Sequence, residues 1–138
     1  MAGVERRFAP GAVRDGRVGV VDIGSNSIRL VIYDAPSRAL VPIYNEKAMC
    51  GLGRGIGATG RLPPEGVGQA LNTLARFAAL ARAMGVTRME AIATAAVREA
   101  ADGAEFAREI ARRTGISVDI LTGAQEARFS AQGVIADI

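Results

Sequence analysis

The chain has 138 residues, of which 49% are hydrophobic and only 4% aromatic. This length suits one domain or one lobe of a larger one, and the hydrophobic content excludes a disordered chain. The net charge of +3 comes from sixteen arginines and a single lysine, Lys47, against fourteen carboxylates, and residues 1–17 carry a local +2 of it. Since no basic run with interleaved aromatic residues occurs, we expect no nucleic-acid partner.

Two residue types restrict the chemistry further. Cys50 is the only cysteine and histidine is absent, so no disulfide can form within the chain and no histidine can act as a base or a metal ligand there. Cys50 is interpreted as a small buried hydrophobic residue. The lone cysteine fits a reducing, cytoplasmic setting. No apolar stretch reaches the length of a membrane span, so we expect no membrane partner.

The first half of the chain predicts a flexible leader and three strands. Residues 1–16 show no apolar period, which separates them from a domain over 17–138. Valine-rich and β-branched runs predict strands, and polar turn residues follow the first two of them. The strands are predicted at 18–23, 28–33 and 40–49, with turns at 24–27 and 35–37. They are expected to form an antiparallel meander.

The second half predicts helices that alternate with strands. A glycine-rich loop at 51–60 precedes a helix with an apolar face, which begins near Pro63 or Pro64 and ends before Gly85. Further strands are predicted at 88–93 and 116–121, and further helices at 95–101, from Asp102 to the residues before Gly115, and at 123–136. The order β-β-β-α-β-α-β-α predicts an α/β fold, a mixed five-stranded sheet covered by helices. Because a sheet of this kind normally continues after such a helix, the sequence is interpreted as truncated at Ile138.

The turn between the first two predicted strands is a candidate anion site. Successive backbone N–H groups around Gly24 can form a concave nest, and Ser25, Asn26 and Ser27 add side-chain donors. Asp22 adds a carboxylate that could hold Mg²⁺ through water. An ordinary hairpin with polar turn residues is the alternative, and the residues alone leave both open.

Two further candidates follow predicted strands at the starts of helices. Thr94 and Thr122 are possible N-caps, and Thr122 with Gln125 matches a capping box. Arg98 and Glu126 then lie in first helical turns at the carboxyl ends of strands, where ligands of open α/β sheets bind. A cation there opposes the helix dipole, so Arg98 needs an anionic partner, whereas Glu126 should be ionised, as a general base must be. A structural ion pair is the alternative for both.

A match to the dinucleotide-binding pattern is set aside. Residues 55–60, GIGATG, fit G-x-G-x-x-G. No acidic residue follows about twenty positions on to meet a ribose, as the physical reading of that motif requires. The glycine-rich neighbourhood makes a chance match easy.

Four segments, in order and with compatible spacing, resemble the bacterial exopolyphosphatase / guanosine-pentaphosphate phosphohydrolase (Ppx/GppA) family. They are VVDIGSNSIRLV at 20–31, GLG at 51–53 with GRL at 60–62, ATAAVR at 93–98 and LTGAQEAR at 121–128. The resemblance covers residues 18–136. It implies an actin-like, ribonuclease H-like lobe.

The resemblance also implies roles for matching residues. Asp22 to Ser27 correspond to the first phosphate loop, Glu126 to the catalytic glutamate and Arg98 to the arginine on substrate phosphate. Arg29 matches a position linked to the nucleotide-like substrate. The residue before the catalytic glutamate is acidic in many members, whereas Gln125 stands here.

The implied activity is hydrolysis of a terminal phosphoanhydride bond of polyphosphate or guanosine pentaphosphate, with Mg²⁺ as cofactor, by a homodimeric full-length protein. The family's second phosphate loop, its acidic metal ligands and its second lobe would follow Ile138, so the chain alone is expected to be inactive. Two alternatives stay open: a non-catalytic lobe that binds phosphate or dimerises, and a kinase of the same superfamily.

Overall fold

The computed structural model describes residues 16–34 and 41–131, with side chains to Phe129. The predicted leader up to residue 15, the turn at 35–37 and the end of the last predicted helix lie outside the described residues. The strands are β1 (Arg17–Ile23), β2 (Ser27–Asp34), β3 (Val41–Met49), β4 (Val86–Ala93) and β5 (Val118–Ile120). The helices are α1 (Ile56–Thr59), α2 (Pro64–Ala83), α3 (Ala95–Glu99), α4 (Gly103–Thr114) and α5 (Gly123–Ala131).

The strands form one mixed sheet in the order β3-β2-β1-β4-β5. Strands β1, β2 and β3 pair antiparallel, which confirms the predicted meander, and β4 and β5 continue the sheet in parallel. The α/β class and the five strands are therefore confirmed. The short helix α1 was not predicted, because its sequence between Gly55 and Gly60 has the composition of a loop.

The register fixes which side chains share a face of the sheet. Asp22 lies opposite Arg29 of β2 and Ile92 of β4, and Arg29 in turn lies opposite Lys47 of β3. Residues opposite one another across strands project to the same side. One face of the sheet therefore carries a row of polar residues across its first three strands.

The main core lies on the other face. Alternate residues of β1 and β2 pack there against the apolar sides of α2 and α4, in a cluster that includes Ile23, Leu30, Leu74, Phe77 and Ile110. The apolar period of residues 63–84 predicted this side of α2. Helix α5 brings Glu126 near Asp22, on the polar face.

Gly103 permits the closest approach between helices. A Cβ atom on Gly103 would lie 1.8 Å from the carbonyl oxygen of Val97. Only glycine therefore allows α4 to start directly against α3. This contact places α3, and with it Arg98, at the end of the sheet.

No helix in the described parts of the chain is long and apolar enough to cross a lipid bilayer.

Candidate functional site

The turn after β1 is closed by a hydrogen bond within itself. The N–H of Gly24 donates to the carbonyl oxygen of Ser27 at 2.9 Å. Gly24 does not have a positive φ, but a Cβ atom there would lie 3.2 Å from that same oxygen. The expected anion nest therefore lacks the N–H of Gly24, and this glycine is needed for close approach rather than for a left-handed conformation.

The glycine-rich loop holds the other side of this turn. The carbonyl of Ser25 accepts from the N–H of Gly53 at 2.8 Å, and that of Asn26 accepts from Cys50 at 2.9 Å and Gly51 at 3.1 Å. A Cβ atom on Gly53 would lie 3.1 Å from the Cβ of Ser25. Within the described residues the N–H groups of Ser25 and Asn26 donate no hydrogen bond. Their carbonyls are thus engaged, while two backbone donors stay free for an anion.

An open cleft of about 410 Å³ lies beside the turn. Its lining is Ser25, Asn26, Gly53, Arg54, Ile56, Gly57, Ala96 and Glu99. Ser25 and Asn26 were predicted from the sequence to bind phosphate, whereas Arg54 and Glu99 were not foreseen at this site. Their only signal was a position in the glycine-rich loop or next to Arg98.

Arg98 and Glu126 meet at the carboxyl ends of β4 and β5. One guanidinium nitrogen of Arg98, Nη1, donates to Glu126 Oε1 at 3.1 Å and to the carbonyl oxygen of Leu121 at 2.9 Å. Both side chains are partly exposed, at 28% and 34%. The expected anionic partner of Arg98 is therefore, in this structure, the glutamate assigned as the base.

The sheet itself positions these two residues. The N–H of Thr94 donates to the carbonyl of Ile23 at 3.2 Å, and the N–H of Leu121 donates to the carbonyl of Ala93 at 2.9 Å. The chain thus enters α3 and α5 from strand ends that are hydrogen-bonded to each other. Two residues separated by 28 positions come together for this reason.

The predicted capping box at the start of α5 is confirmed. The N–H of Gln125 donates to Thr122 Oγ1 at 3.1 Å, and the N–H of Thr122 donates to Gln125 Oε1 at 3.0 Å. Gln125 is buried, with 8% of its surface exposed. This reciprocal pair fixes the first turn of α5 and hence the position of Glu126.

Two other residues, Thr94 and Asp102, stand at the N-cap positions of α3 and α4 but lack the capping hydrogen bond. Asp102 Oδ1 instead accepts from the N–H of Leu62 at 3.0 Å, while Oδ2 lies 3.6 Å from Arg61. A partner distant in sequence therefore replaces the local cap.

Asp22 is a mostly buried carboxylate near Glu126. Burial, followed by the charge of Glu126, raises its pKa from 3.8 to about 6, and Arg29 partly offsets both effects. Asp22 Oδ1 is buried and has no hydrogen-bond partner among the described residues. A carboxylate in this state favours either a proton or a cation.

Arg29 extends the site toward β3. Its Nη1 donates to Asn45 Oδ1 at 2.8 Å, while its Nε is buried and unpartnered within the described part of the chain. The exposed Lys47 lies opposite Arg29 in the register. Asn45 and Lys47 were not foreseen as neighbours of the site, because only the strand pairing brings them there.

A metal ion would find few ligands in this part of the protein. In residues 16–34 and 41–131 no three side chains of the metal-binding types come together. Asp22 alone offers an orphaned carboxylate oxygen, with Glu126 nearby. The described residues therefore provide at most part of a Mg²⁺ site and not a complete set of ligands.

The candidate residues thus form two groups. Asp22, Arg29, Arg98 and Glu126 interact through charge or hydrogen bonds. Ser25 and Asn26 line the cleft instead, and neither Arg98 nor Glu126 belongs to its lining.

Comparison with known proteins identifies relatives of the chain. The model of the Ppx/GppA phosphatase family matches residues 30–138. Exopolyphosphatase 1 of Mycobacterium tuberculosis (strain ATCC 25618 / H37Rv) is 30% identical over 115 residues, covering 83% of this chain and 33% of the relative. The chain therefore spans about a third of the length of this relative.

Solved structures agree with this result. The crystal structure of the Aquifex aeolicus member of the Ppx/GppA family superposes with a TM-score of 0.80 at 32% identity, over 86% of this chain and 39% of that one. The ethanolamine utilization protein EutJ from Carboxydothermus hydrogenoformans, at 17% identity and a TM-score of 0.55 over 93% of this chain and 44% of its own, shares the fold alone. The fold is actin-like, and the chain belongs to the Ppx/GppA phosphatase family.

Proposed function

We propose that this chain forms one wall of a site that hydrolyses terminal phosphoanhydride bonds in the whole protein. Glu126 acts as the general base on the attacking water. Arg98 and the donors of the turn, Ser25, Asn26 and Ser27, hold the oxygens of the phosphate. Positioning and charge stabilisation of this kind supply most of the catalysis in phosphoryl transfer.

The hydrogen bond between Arg98 and Glu126 carries this proposal. A guanidinium 3.1 Å from the carboxylate, with both side chains partly exposed, can turn toward an incoming phosphate and leave the glutamate free to accept a proton. Arg98 keeps its bond to the Leu121 carbonyl in this exchange, so its position is preserved. A purely structural ion pair would need neither this exposure nor a place at the ends of two parallel strands.

Asp22 would contribute to the same reaction by helping to hold a metal ion. Its buried, unpartnered oxygen would hold Mg²⁺ through water, and the ion, when bound, would neutralise charge on the phosphate oxygens. Without a cation, the pKa of about 6 leaves Asp22 partly protonated near neutral pH. The carboxylate therefore favours a cation more strongly than an exposed aspartate would.

The substrate is polyphosphate or guanosine pentaphosphate. The names of the relatives favour polyphosphate. Arg29, held by Asn45 on the polar face, is the residue that would meet a nucleotide-like substrate. The homodimer, the cytoplasmic setting and the lack of a nucleic-acid partner stay predictions.

The test is Glu126→Gln in the protein that also contains the second lobe. The substitution keeps the shape of a partly exposed side chain and removes its basicity. We expect turnover of long-chain polyphosphate to fall by roughly 10²–10⁴, the usual contribution of a positioned base, with an unchanged melting temperature. Glu105→Gln, at another first-turn glutamate, is the matched control. Turnover within a few-fold of wild type would remove Glu126 from the role of base.

A further inference from the structure

The cleft beside the first turn is lined by a positively charged side chain, Arg54, that has no role in the proposed function. Arg54 lines it together with Ser25 and Asn26, and neither Arg98 nor Glu126 belongs to this lining. Its volume of about 410 Å³ falls in the range of small-molecule sites. A single phosphate held by Arg98 would leave this space unused.

Two glycines place Arg54 at this position. Gly51 has a φ of +61°, and a Cβ atom there would lie 3.0 Å from the Nε of Arg54, so the guanidinium lies over a residue that must lack a side chain. The N–H of Arg54 donates to the Gly51 carbonyl at 3.2 Å. Gly53, between them, hydrogen-bonds to Ser25. The loop thus carries Arg54 against the turn by backbone geometry.

Among the residues that the structure describes, the guanidinium of Arg54 forms no ion pair or hydrogen bond, although Glu99 lines the same cleft. The backbone N–H groups of Ser25 and Asn26 are also unpaired within the described residues. One positive charge and two backbone donors without a partner in the described residues therefore belong to the lining of one cleft, a combination that suits phosphate oxygens.

We propose that this cleft binds the phosphoryl groups that follow the terminal one in the substrate chain, with Arg54 as their main contact. This inference rests on the proposed function, because it assumes that the terminal phosphate lies at Arg98. In this arrangement Ser25 and Asn26 would contact the phosphoryl groups in the cleft as well as the terminal phosphate. Glu99 acts against the bound anion and limits its affinity.

The experiment is a binding titration of the 138-residue chain with inorganic tripolyphosphate and, separately, orthophosphate, in EDTA and followed by NMR. Arg54→Ala should weaken tripolyphosphate binding by roughly three- to tenfold, the effect of one partly exposed charged contact, and change orthophosphate binding by less than about twofold. Glu99→Gln should tighten tripolyphosphate binding, because it removes a like charge. Arg82→Ala, which removes the same charge from the exposed last turn of α2, is the matched control.

The outcomes separate this inference from the proposed function. If Arg54→Ala binds tripolyphosphate as the Arg82→Ala control does, or if the wild-type chain shows no saturable binding, the cleft is not a phosphate-chain site. The loss of turnover in Glu126→Gln would still support the proposed function in that case. If Arg54→Ala weakens tripolyphosphate binding but Glu126→Gln does not lower turnover, the cleft is a phosphate-binding site and Glu126 is not the base.

Discussion

Asp22 and Arg29 lie directly opposite each other on β1 and β2, yet each retains a buried polar atom without a partner among the described residues. The two atoms are Asp22 Oδ1 and Arg29 Nε. Arg29 does not bond to Asp22; its Nη1 donates a hydrogen bond to Asn45 Oδ1 instead. The positive charge of Arg29 offsets only part of the burial and repulsion that act on Asp22. Two buried polar atoms without hydrogen bonds lower the stability of the folded protein, and such atoms are typical of a ligand-binding site without its ligand.

This relationship predicts a pH dependence. The folded-state pKa of Asp22 is about 6, above its ordinary value of 3.8, so the folded protein binds the proton more tightly than the unfolded chain. Stability from this group is therefore complete below about pH 4 and is lost as the pH rises toward and through 6. The total loss is on the order of 2–3 kcal/mol as an upper estimate.

Asp22→Asn should remove this dependence, because the amide cannot ionise. The free energy of unfolding of the variant minus that of the wild type should increase between pH 4 and pH 7 and then level off. Denaturant unfolding at several pH values measures it, and the metal-free condition is essential. Asp119→Asn, on β5, serves as the control. A difference that is flat with pH would contradict the buried state of Asp22.

Arg98 is expected to matter more for phosphate than for stability. Arg98→Lys keeps one charge but loses the planar fork that meets two oxygens. In the protein with its second lobe, we expect weaker substrate binding. Because the Leu121 carbonyl loses a donor, we expect a stability cost of about 1 kcal/mol or less. A large loss of melting temperature with unchanged affinity would instead establish the structural ion pair.

Two glycine substitutions should have opposite signs. Gly103→Ala places a methyl group 1.8 Å from the Val97 carbonyl and must displace α3 or α4, at a cost of roughly 1–3 kcal/mol or more. Gly68 lies in the interior of α2, where an added Cβ would meet no heavy atom within 4 Å beyond its chain neighbours and its own helix backbone, so Gly68→Ala should stabilise by about 0.5–1 kcal/mol. Thermal unfolding of both variants checks the signs. Equal effects would show that the approach of α3 to α4 is not as close as described.

The 138-residue chain by itself is expected to release no phosphate from polyphosphate with excess Mg²⁺. The described residues supply the proposed base Glu126, the proposed phosphate ligand Arg98 and the orphaned carboxylate of Asp22, but no cluster that could hold the metal. A base without a fixed electrophile loses the proximity advantage, worth about 7–11 kcal/mol in favourable cases. Phosphate release that disappears in Glu126→Gln would show that this lobe builds a complete site.

Local patterns predicted the elements and the first turns. Valine-rich and β-branched runs at 18–23 and 28–33 predicted the first two strands, the apolar period of 63–84 predicted α2, and Thr122 with Gln125 predicted a cap that the structure confirms. These features depend on interactions between residues close in sequence, which spacing and residue type reveal. The resemblance to the family also depended only on sequence, since it rests on four motifs that occur in the expected order and spacing.

Partners distant in sequence were decided by the tertiary structure. Composition did not reveal that Asp102 would hold Leu62 instead of capping α4, or that Gly24 would use its own N–H within the turn. The same holds for Arg54, whose place beside Ser25 depends on a loop folded back by hydrogen bonds. Sequence spacing specifies what neighbours along a helix or strand can do, whereas burial and charge around Asp22 arise only when β1, β2 and α5 pack together.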